Sequence, residues 1–465
     1  MNEESRSAMT MTLFNTMSRR KEEFVPLESG KVRLYCCGPT VYNYAHIGNL
    51  RTYVFEDVLR RTLLFNGYEV LHVTNITDVG HMTTDADAGD DKMELAARKE
   101  NKSPWEIARF YEAAFMRDLE RLNIQKPEVS PRATEHVVEM IELIQRLEAN
   151  GFTYVTSDCV YFDTAQYADY GKMARLNLGE QQTTREEVVA DETKKHPADF
   201  VLWFLNKPNH IMQWESPWGP GYPGWHIECS AMSMKYLGET FDIHCGGVDH
   251  IPVHHTNEIA QSECATHHPF VRYWVHGEFL LMGKEKMSKS KGGSINSLQS
   301  LIDAGYDPLA YRYLCLQAHY RSELNFSSEA LEAAATGLHK VYGLSAQSDP
   351  LLGDESAFTA ARTRVLGALN EDLGMPQAVG LLNSYRSHRL WVEFDRVLGL
   401  DIAERSRPKE EAPLPEDVVE LIDSRNAARK AKQWAESDVL RDRLKEMGYE
   451  VGDGPQGTTV KKRGL

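Results

Sequence analysis

Three groups of residues in this 465-residue sequence combine types and spacings that chemistry can use. The run Lys286-Met287-Ser288-Lys289-Ser290-Lys291-Gly292-Gly293 sets three lysines within six residues ahead of a Gly-Gly end. Such a loop offers mobile point charges to a polyphosphate, although a solvated basic turn has the same composition. The run His46-Ile47-Gly48-Asn49 places two hydrogen-bonding side chains around a glycine, where a nucleotide can approach the backbone closely. The third group is dispersed: Cys37, Cys229, His254 and Glu258. Two thiols, an imidazole and a carboxylate make a four-ligand set suited to zinc. Within a helix, His254 and Glu258 share a face. Free cysteines are more often small buried hydrophobes, and on the residues alone that alternative stands beside the metal.

The elements that must position these groups are legible around the first of them. VRLYCC (32–37) is a short alternating strand ended by Gly38-Pro39. From 47 to 66, Tyr53, Val54, Val58, Leu59, Leu63 and Leu64 recur at helical spacing, and Gly67 closes the helix. EVLHVTNI (69–76) is a second strand, so the segment is a βαβ unit opening a parallel sheet. Ligands of such sheets bind beyond the carboxyl ends of the strands, and helix N-termini favour anions. His46–Asn49 therefore stands where a phosphate would bind, and the lysine-rich loop follows the last strand-like stretch of the same domain. Cys37 ends the first strand, whereas Cys36 points by alternation to the opposite face and into the core.

Further along, helices are expected over 93–123, with a break at Ser103-Pro104, and over 133–150. Short strand-like pieces and a Trp/Pro/Gly-rich run make 152–224 an insertion between two halves of the sheet domain. Helix and strand patterns resume at 226–238, 240–247, 253–265 and 271–282, and from about 297 to 400 the pattern is helical throughout. A proline-rich linker (405–417) precedes a last helical segment and a short strand or loop with a basic end.

The chain carries 52 Lys+Arg against 68 Asp+Glu, a net charge of −16. That excludes non-specific coating of nucleic acid, so any such contact needs a local basic face. Arg425, Arg429, Lys430 and Lys432 give one, and Trp434 can stack on an unpaired base. A solvated amphipathic helix is the alternative. Seven cysteines without a CxxC pair argue for a reducing, cytoplasmic setting. No apolar run approaches the roughly 18 residues of a membrane span.

HIGN and KMSKS resemble the signature pair of class I aminoacyl-tRNA synthetases. GWHIECSAM (224–232), HCGGVDHIPVHHTNEIAQSE (244–263) and DGPQGTTV (453–460) narrow the resemblance to the cysteinyl-tRNA synthetases, over nearly the whole chain. The resemblance implies a Rossmann-like α/β catalytic domain in two halves (1–128 and 224–282) around a connective insertion (129–223). It implies a KMSKS loop and stem-contact region (283–330), a helical bundle (331–404), a linker (405–417) and an anticodon-binding domain (418–465). The implied reaction joins cysteine to the 3′ end of tRNA(Cys) through a cysteinyl-adenylate, with Mg²⁺ accompanying ATP. Zinc ligands fall on Cys37, Cys229, His254 and Glu258. His46, Gly48, Asn49, Lys286 and Lys289 would serve ATP. Thr77, Trp225 and His244 would surround L-cysteine, and Arg429, Trp434, Asp438 and Asp453 would contact the anticodon. A monomer is expected. Asn49 stands where the family usually has a second histidine, Thr256 where glutamate is frequent and Tyr222 where arginine is common. Residues 79–91 read as an acidic insertion that is a solvated loop or a cation site. The rival readings are a cysteine ligase of thiol-cofactor biosynthesis, which lacks an anticodon domain, and a non-enzymatic tRNA-binding paralogue.

Overall fold

The structure is a computed structural model that describes residues 10–80, 91–175, 194–207, 210–282, 285–286, 296–407, 414–454 and 457–462. The chain divides into two compact units, Met1–Ser406 and Arg407–Leu465.

The first unit opens with a hairpin of β1 (Thr12–Asn15) and β2 (Arg20–Glu23), followed by β3 (Lys31–Cys36), α1 (Ile47–Phe65) and β4 (Glu69–Thr74). Next come α2 (Lys92–Glu100), α3 (Pro104–Arg121) and α4 (Val137–Ala149). The insertion supplies β5 (Thr153–Val155), β6 (Cys159–Phe162), β7 (Phe200–Leu205) and β8 (Gly221–Pro223), an antiparallel sheet in that order. The chain then returns through α5 (Trp225–Leu237), β9 (Phe241–Gly247), α6 (Thr256–Thr266) and β10 (Val271–Gly277). β11 (Leu280–Met282), β12 (Glu285–Lys286), α7 (Leu298–Asp303), α8 (Pro308–Leu316) and β13 (Leu324–Phe326) lead into helices α9 (Ser328–Tyr342), α10 (Glu355–Asn370), α11 (Met375–Tyr385), α12 (His388–Leu398) and α13 (Ile402–Arg405).

The central sheet is parallel, in the order β10-β9-β3-β4. Every residue of β9 is buried, as a parallel strand covered on both faces should be. β4 follows β3 directly through α1, while β9 reaches the other side of β3 only after the insertion. The winding therefore reverses between β3 and β9, which opens a crevice beyond their carboxyl ends. α1 starts at that crevice and buries Ile47, Leu50, Val54, Val58 and Leu59.

The break between α2 and α3 is a capping box. Ser103 Oγ accepts from the Glu106 N–H at 3.3 Å, the Glu106 carboxylate accepts from the Ser103 N–H at 2.8 Å, and Pro104 occupies the first turn. The stretch from 297 to 400 departs from its helical expectation at β13, which pairs in parallel with β11 (Leu280↔Leu324). Three residues are too few for an alternation to register in sequence. Arg312 of α8, fully buried, ties the helical region to α1. Its Nη2 donates to Asp57 Oδ2 at 2.6 Å and its Nε to the Leu398 carbonyl at 2.6 Å.

The second unit contains α14 (Glu416–Lys430), α15 (Trp434–Glu446) and a hairpin of β14 (Tyr449–Gly454) and β15 (Gly457–Lys462). Val418, Leu444 and Tyr449 form its small core. No helix among the described residues is long and apolar enough to cross a membrane.

Candidate active site and metal centre

Cys37 directly follows β3, which brings its thiol to the carboxyl end of the sheet. Gly38 makes the turn that follows possible: a Cβ there would lie 1.5 Å from the Asn75 carbonyl oxygen. Cys36 and Cys37 enter different apolar clusters, as alternation requires. Cys229 lies within α5. His254 lies in a π-helical turn (Ile251–His255) that runs into α6 and Glu258, and Thr256 braces this turn by donating to the Ile251 carbonyl at 2.7 Å. Irregular turns of this kind recur where a helix must aim side chains at a site.

The donor atoms of Cys37, Cys229, His254 and Glu258 lie within 4.8 Å of one another, and all four residues are buried. His254 Nε2 is 3.0 Å from Glu258 Oε1, and its Nδ1 is 2.9 Å from His226 Nδ1. The other carboxylate oxygen of Glu258 is 2.9 Å from His244 Nε2. The imidazole and the carboxylate are thus each oriented by a second partner, the arrangement by which metal sites fix their ligands. Half-buried Trp225 stacks on His254 with ring centres 4.3 Å apart. Two sulfurs, one nitrogen and one oxygen at these separations fit a tetrahedral zinc ion.

Electrostatics explain how such a set survives burial. Burial pushes the Glu258 carboxyl up, but the charges and hydrogen bonds of His244 and His254 bring it down to about 2. Burial pulls His254 down, yet Glu258 and Cys229 hold it up at about 10. The hydrogen bond from Cys37 lowers the Cys229 thiol against its burial, while burial and that same bond raise Cys37. A cation in this space would replace the protons the four groups now share.

A second donor set overlaps the first: Cys37, His244, His255 and Glu258 also lie within 4.8 Å of one another. His255 is one of the two residues particular to this second set. It is fully buried, with Nε2 3.3 Å from Cys37 Sγ and Nδ1 2.7 Å from His276 Nε2, which continues to Thr16 Oγ1. The two sets differ in access. Cys37, Cys229 and His254 line a cavity of about 350 Å³, whereas His244 and His255 stand behind it.

The same cavity is bordered by Thr77, Trp225, His46 and Asn49. Thr77 Oγ1 donates to Glu228 Oε2 at 2.8 Å. His46 caps α1: its Nδ1 accepts from the Asn49 N–H at 3.1 Å, and Asn49 Oδ1 accepts from the His46 N–H at 3.3 Å. This reciprocal box holds both side chains at the cavity edge. No acidic side chain occupies the first turn of α1, so its positive end is left for an anion. Gly48 lies in that turn.

Lys289 and the Lys286 side chain lie outside the described residues, as do 81–90 of the acidic segment. Asp91, which ends that segment, is instead the N-cap of α2, accepting from the Met93 and Glu94 N–H groups. In the second unit, Arg429 Nη1 pairs with Asp453 Oδ2 at 2.9 Å, and Asp438 pairs with Arg441 at 3.4 Å. Trp434 is 57% exposed, with the Arg429 guanidinium 5.8 Å from its ring centre.

Sequence reasoning passed over His226 and Glu228, although both stand in the motif around Cys229. Their signal was local: polar residues flanking a ligand candidate on a helix, available to hold its neighbours.

Residues 23–336 match the family "tRNA synthetases class I (C) catalytic domain", and residues 411–460 match "Cysteinyl-tRNA ligase anticodon binding domain". The chain is 45% identical to the cysteine–tRNA ligase of Treponema denticola, over 98% of its own length and 100% of that protein. It is 48% identical to cysteine–tRNA ligase 1 of Burkholderia lata, over 97% and 96% of the two chains. Among solved structures, it is similar in fold to Mycobacterium tuberculosis methionyl-tRNA synthetase in complex with methionyl-adenylate. That likeness has a TM-score of 0.57 and 17% identity, over 81% of this chain and 90% of the other.

Proposed function

The chain belongs to the cysteinyl-tRNA synthetase family and charges tRNA with cysteine; from that premise we propose that Cys37, Cys229, His254 and Glu258 hold one zinc ion per chain. The observation that carries this reading is a single cavity bordered by three of these donors and by the capped end of α1. When bound, zinc supplies a soft Lewis acid that takes a substrate thiolate in preference to an alcohol. An ordinary pocket separates such near-isosteres by only about 10²-fold.

The remaining work belongs to the chain. Thr77, fixed by Glu228, and the Trp225 ring border the space beside Cys229, where they orient the amino acid, and His244 steadies Glu258 from behind. His46, Gly48 and Asn49 present the N-terminus of α1 to the phosphates of ATP, which arrives with Mg²⁺. The cysteine carboxylate attacks the α-phosphorus, pyrophosphate departs, and Lys286 and Lys289 neutralise its charge. The terminal ribose hydroxyl of tRNA(Cys) then attacks the acyl carbon, and AMP leaves. Because no covalent enzyme intermediate is needed, positioning carries the rate.

Within the first unit, residues 1–128 and 224–282 form the catalytic domain, 129–223 the insertion, 283–330 the stem-contact region and 331–404 the bundle. A linker at 405–417 precedes the anticodon reader, 418–465. The seven free, buried cysteines support a reducing cytoplasmic setting, and the protein acts as a monomer. The test combines zinc analysis with ATP–pyrophosphate exchange and tRNA charging, with cysteine and with serine. A zinc-free protein that activates both amino acids equally would overturn the metal assignment.

A further inference from the structure

Beside the cavity mouth stands a group of aromatic rings that the two-step reaction leaves unused. Tyr44, on the turn before α1, lines the cavity and is 46% exposed. Its ring meets Tyr111 edge-on at 5.1 Å and Phe110 at 6.2 Å, and Phe110, on the outer side of α3, is 41% exposed. Tyr111 is buried, lines the cavity and gives its hydroxyl to Glu100. Lys102 Nζ lies 4.6 Å from the Phe110 ring centre and 2.8 Å from Glu100 Oε2, so Glu100 is already engaged by two donors, and the second carboxylate here, Glu106, is held by the Ser103 N–H and hydroxyl while facing Lys102 and Arg109. Arg109, next to Phe110 on α3, is exposed.

Rings of this size left half in water, interleaved with cations, suit unpaired nucleic-acid bases, which stack on any aromatic face. Continuity decides the occupant. The ledge abuts the cavity in which the terminal ribose must react, and Tyr44 belongs to both. We propose that Tyr44 and Phe110 form a stacking ledge for the unpaired 3′-terminal bases of the tRNA, with Lys102 and Arg109 facing the strand's phosphates. This rests on the tRNA-charging reading and adds the path by which the single strand reaches the cavity.

The test measures binding of two tRNA(Cys) transcripts, one complete and one lacking its unpaired 3′ nucleotides, alongside tRNA-independent ATP–pyrophosphate exchange. Phe110→Ala should weaken the complete transcript by about tenfold, the scale of one lost base stack. It should leave the truncated transcript and the exchange rate unchanged, and Phe110→Tyr should restore binding. Equal weakening of both transcripts, no weakening of either, or loss of exchange in Phe110→Ala would each overturn the ledge. Absence of cysteine-dependent exchange in the unaltered protein would instead refute the activity, whatever the ledge does.

Discussion

In the first unit, the donors Cys37, Cys229, His254 and Glu258 are all buried, and partners such as His226 and His244 hold them from behind. In the second unit, Trp434 is 57% exposed, and Arg429 and Asp438 are engaged by partially exposed ion pairs. Under the proposed function, in which the first region holds zinc and the second meets RNA, the difference follows the ligands. A thiol is told from a hydroxyl by an ion whose ligands cannot rearrange, which requires desolvation and braced side chains. An RNA base is met by a ring that must begin in water. A substitution in the first region should therefore propagate through its neighbours, whereas one in the second should remain local.

The strongest attempt to break this contrast is Cys229→Ser. It should lose zinc and cysteine activation together, by more than the roughly 10²-fold that losing a supporting partner costs. Metal analysis and pyrophosphate exchange on the same preparation check it; zinc retained at full occupancy would show that the overlapping set of Cys37, His244, His255 and Glu258 holds the ion. A weaker perturbation sharpens the point. His226→Ala removes the partner of His254 Nδ1 while leaving all four donors in place, and should weaken zinc by about 10–100-fold in a chelator competition. An affinity unchanged by that substitution would mean the site is not braced.

On the exposed side, Trp434→Ala should raise the KM for tRNA by about tenfold, one stacked base, while cysteine activation and thermal stability stay as they are. A loss of stability would place Trp434 among the structural residues of its unit.

How far each region was legible in sequence follows the same division. The β3–α1–β4 unit emerged within one or two residues, because a period-2 run, a period-3.6 run and a closing glycine are local signals. Cys37, Cys229, His254 and Glu258 could be named together because the family resemblance groups them; Cys229, His254 and Glu258 sit in its motifs, while Cys37 ends a strand that alternation alone reveals. What joined them, the reversal of winding between β3 and β9, is a property of sheet order that no segment carries. The chain from His255 through His276 to Thr16 spans three distant segments and was missed for that reason. β13 was missed because a three-residue strand has no period. In the second unit, the basic helix was visible as composition, but the turning of Arg425 and Arg429 onto Asp453 depends on a hairpin folding back over α14.

That inward turn supplies the smallest effect. Both Asp453 oxygens accept from Arg425, at 3.0 and 2.6 Å, and Arg429 adds a third contact, while Arg425 itself is 1% exposed. The hydrogen bond from Arg425 holds the Asp453 carboxyl below its ordinary value. A depressed carboxylate stabilises the folded unit above the unfolded value of about 3.9, and that contribution disappears as pH falls through the folded one. Because Asp453 is partly in water, screening limits the contribution to about 0.5–1 kcal/mol. Asp453→Asn should therefore lower the stability of the second unit by that amount at neutral pH, and the gap should close as pH falls through the lowered carboxyl value of the folded unit, with both proteins followed by amide signals of α14 during urea unfolding. A gap that persists into acid would mean that packing around Arg425, and not charge, sets the contribution. A collapse of tRNA charging at neutral pH with stability intact would show that Asp453 faces the RNA after all.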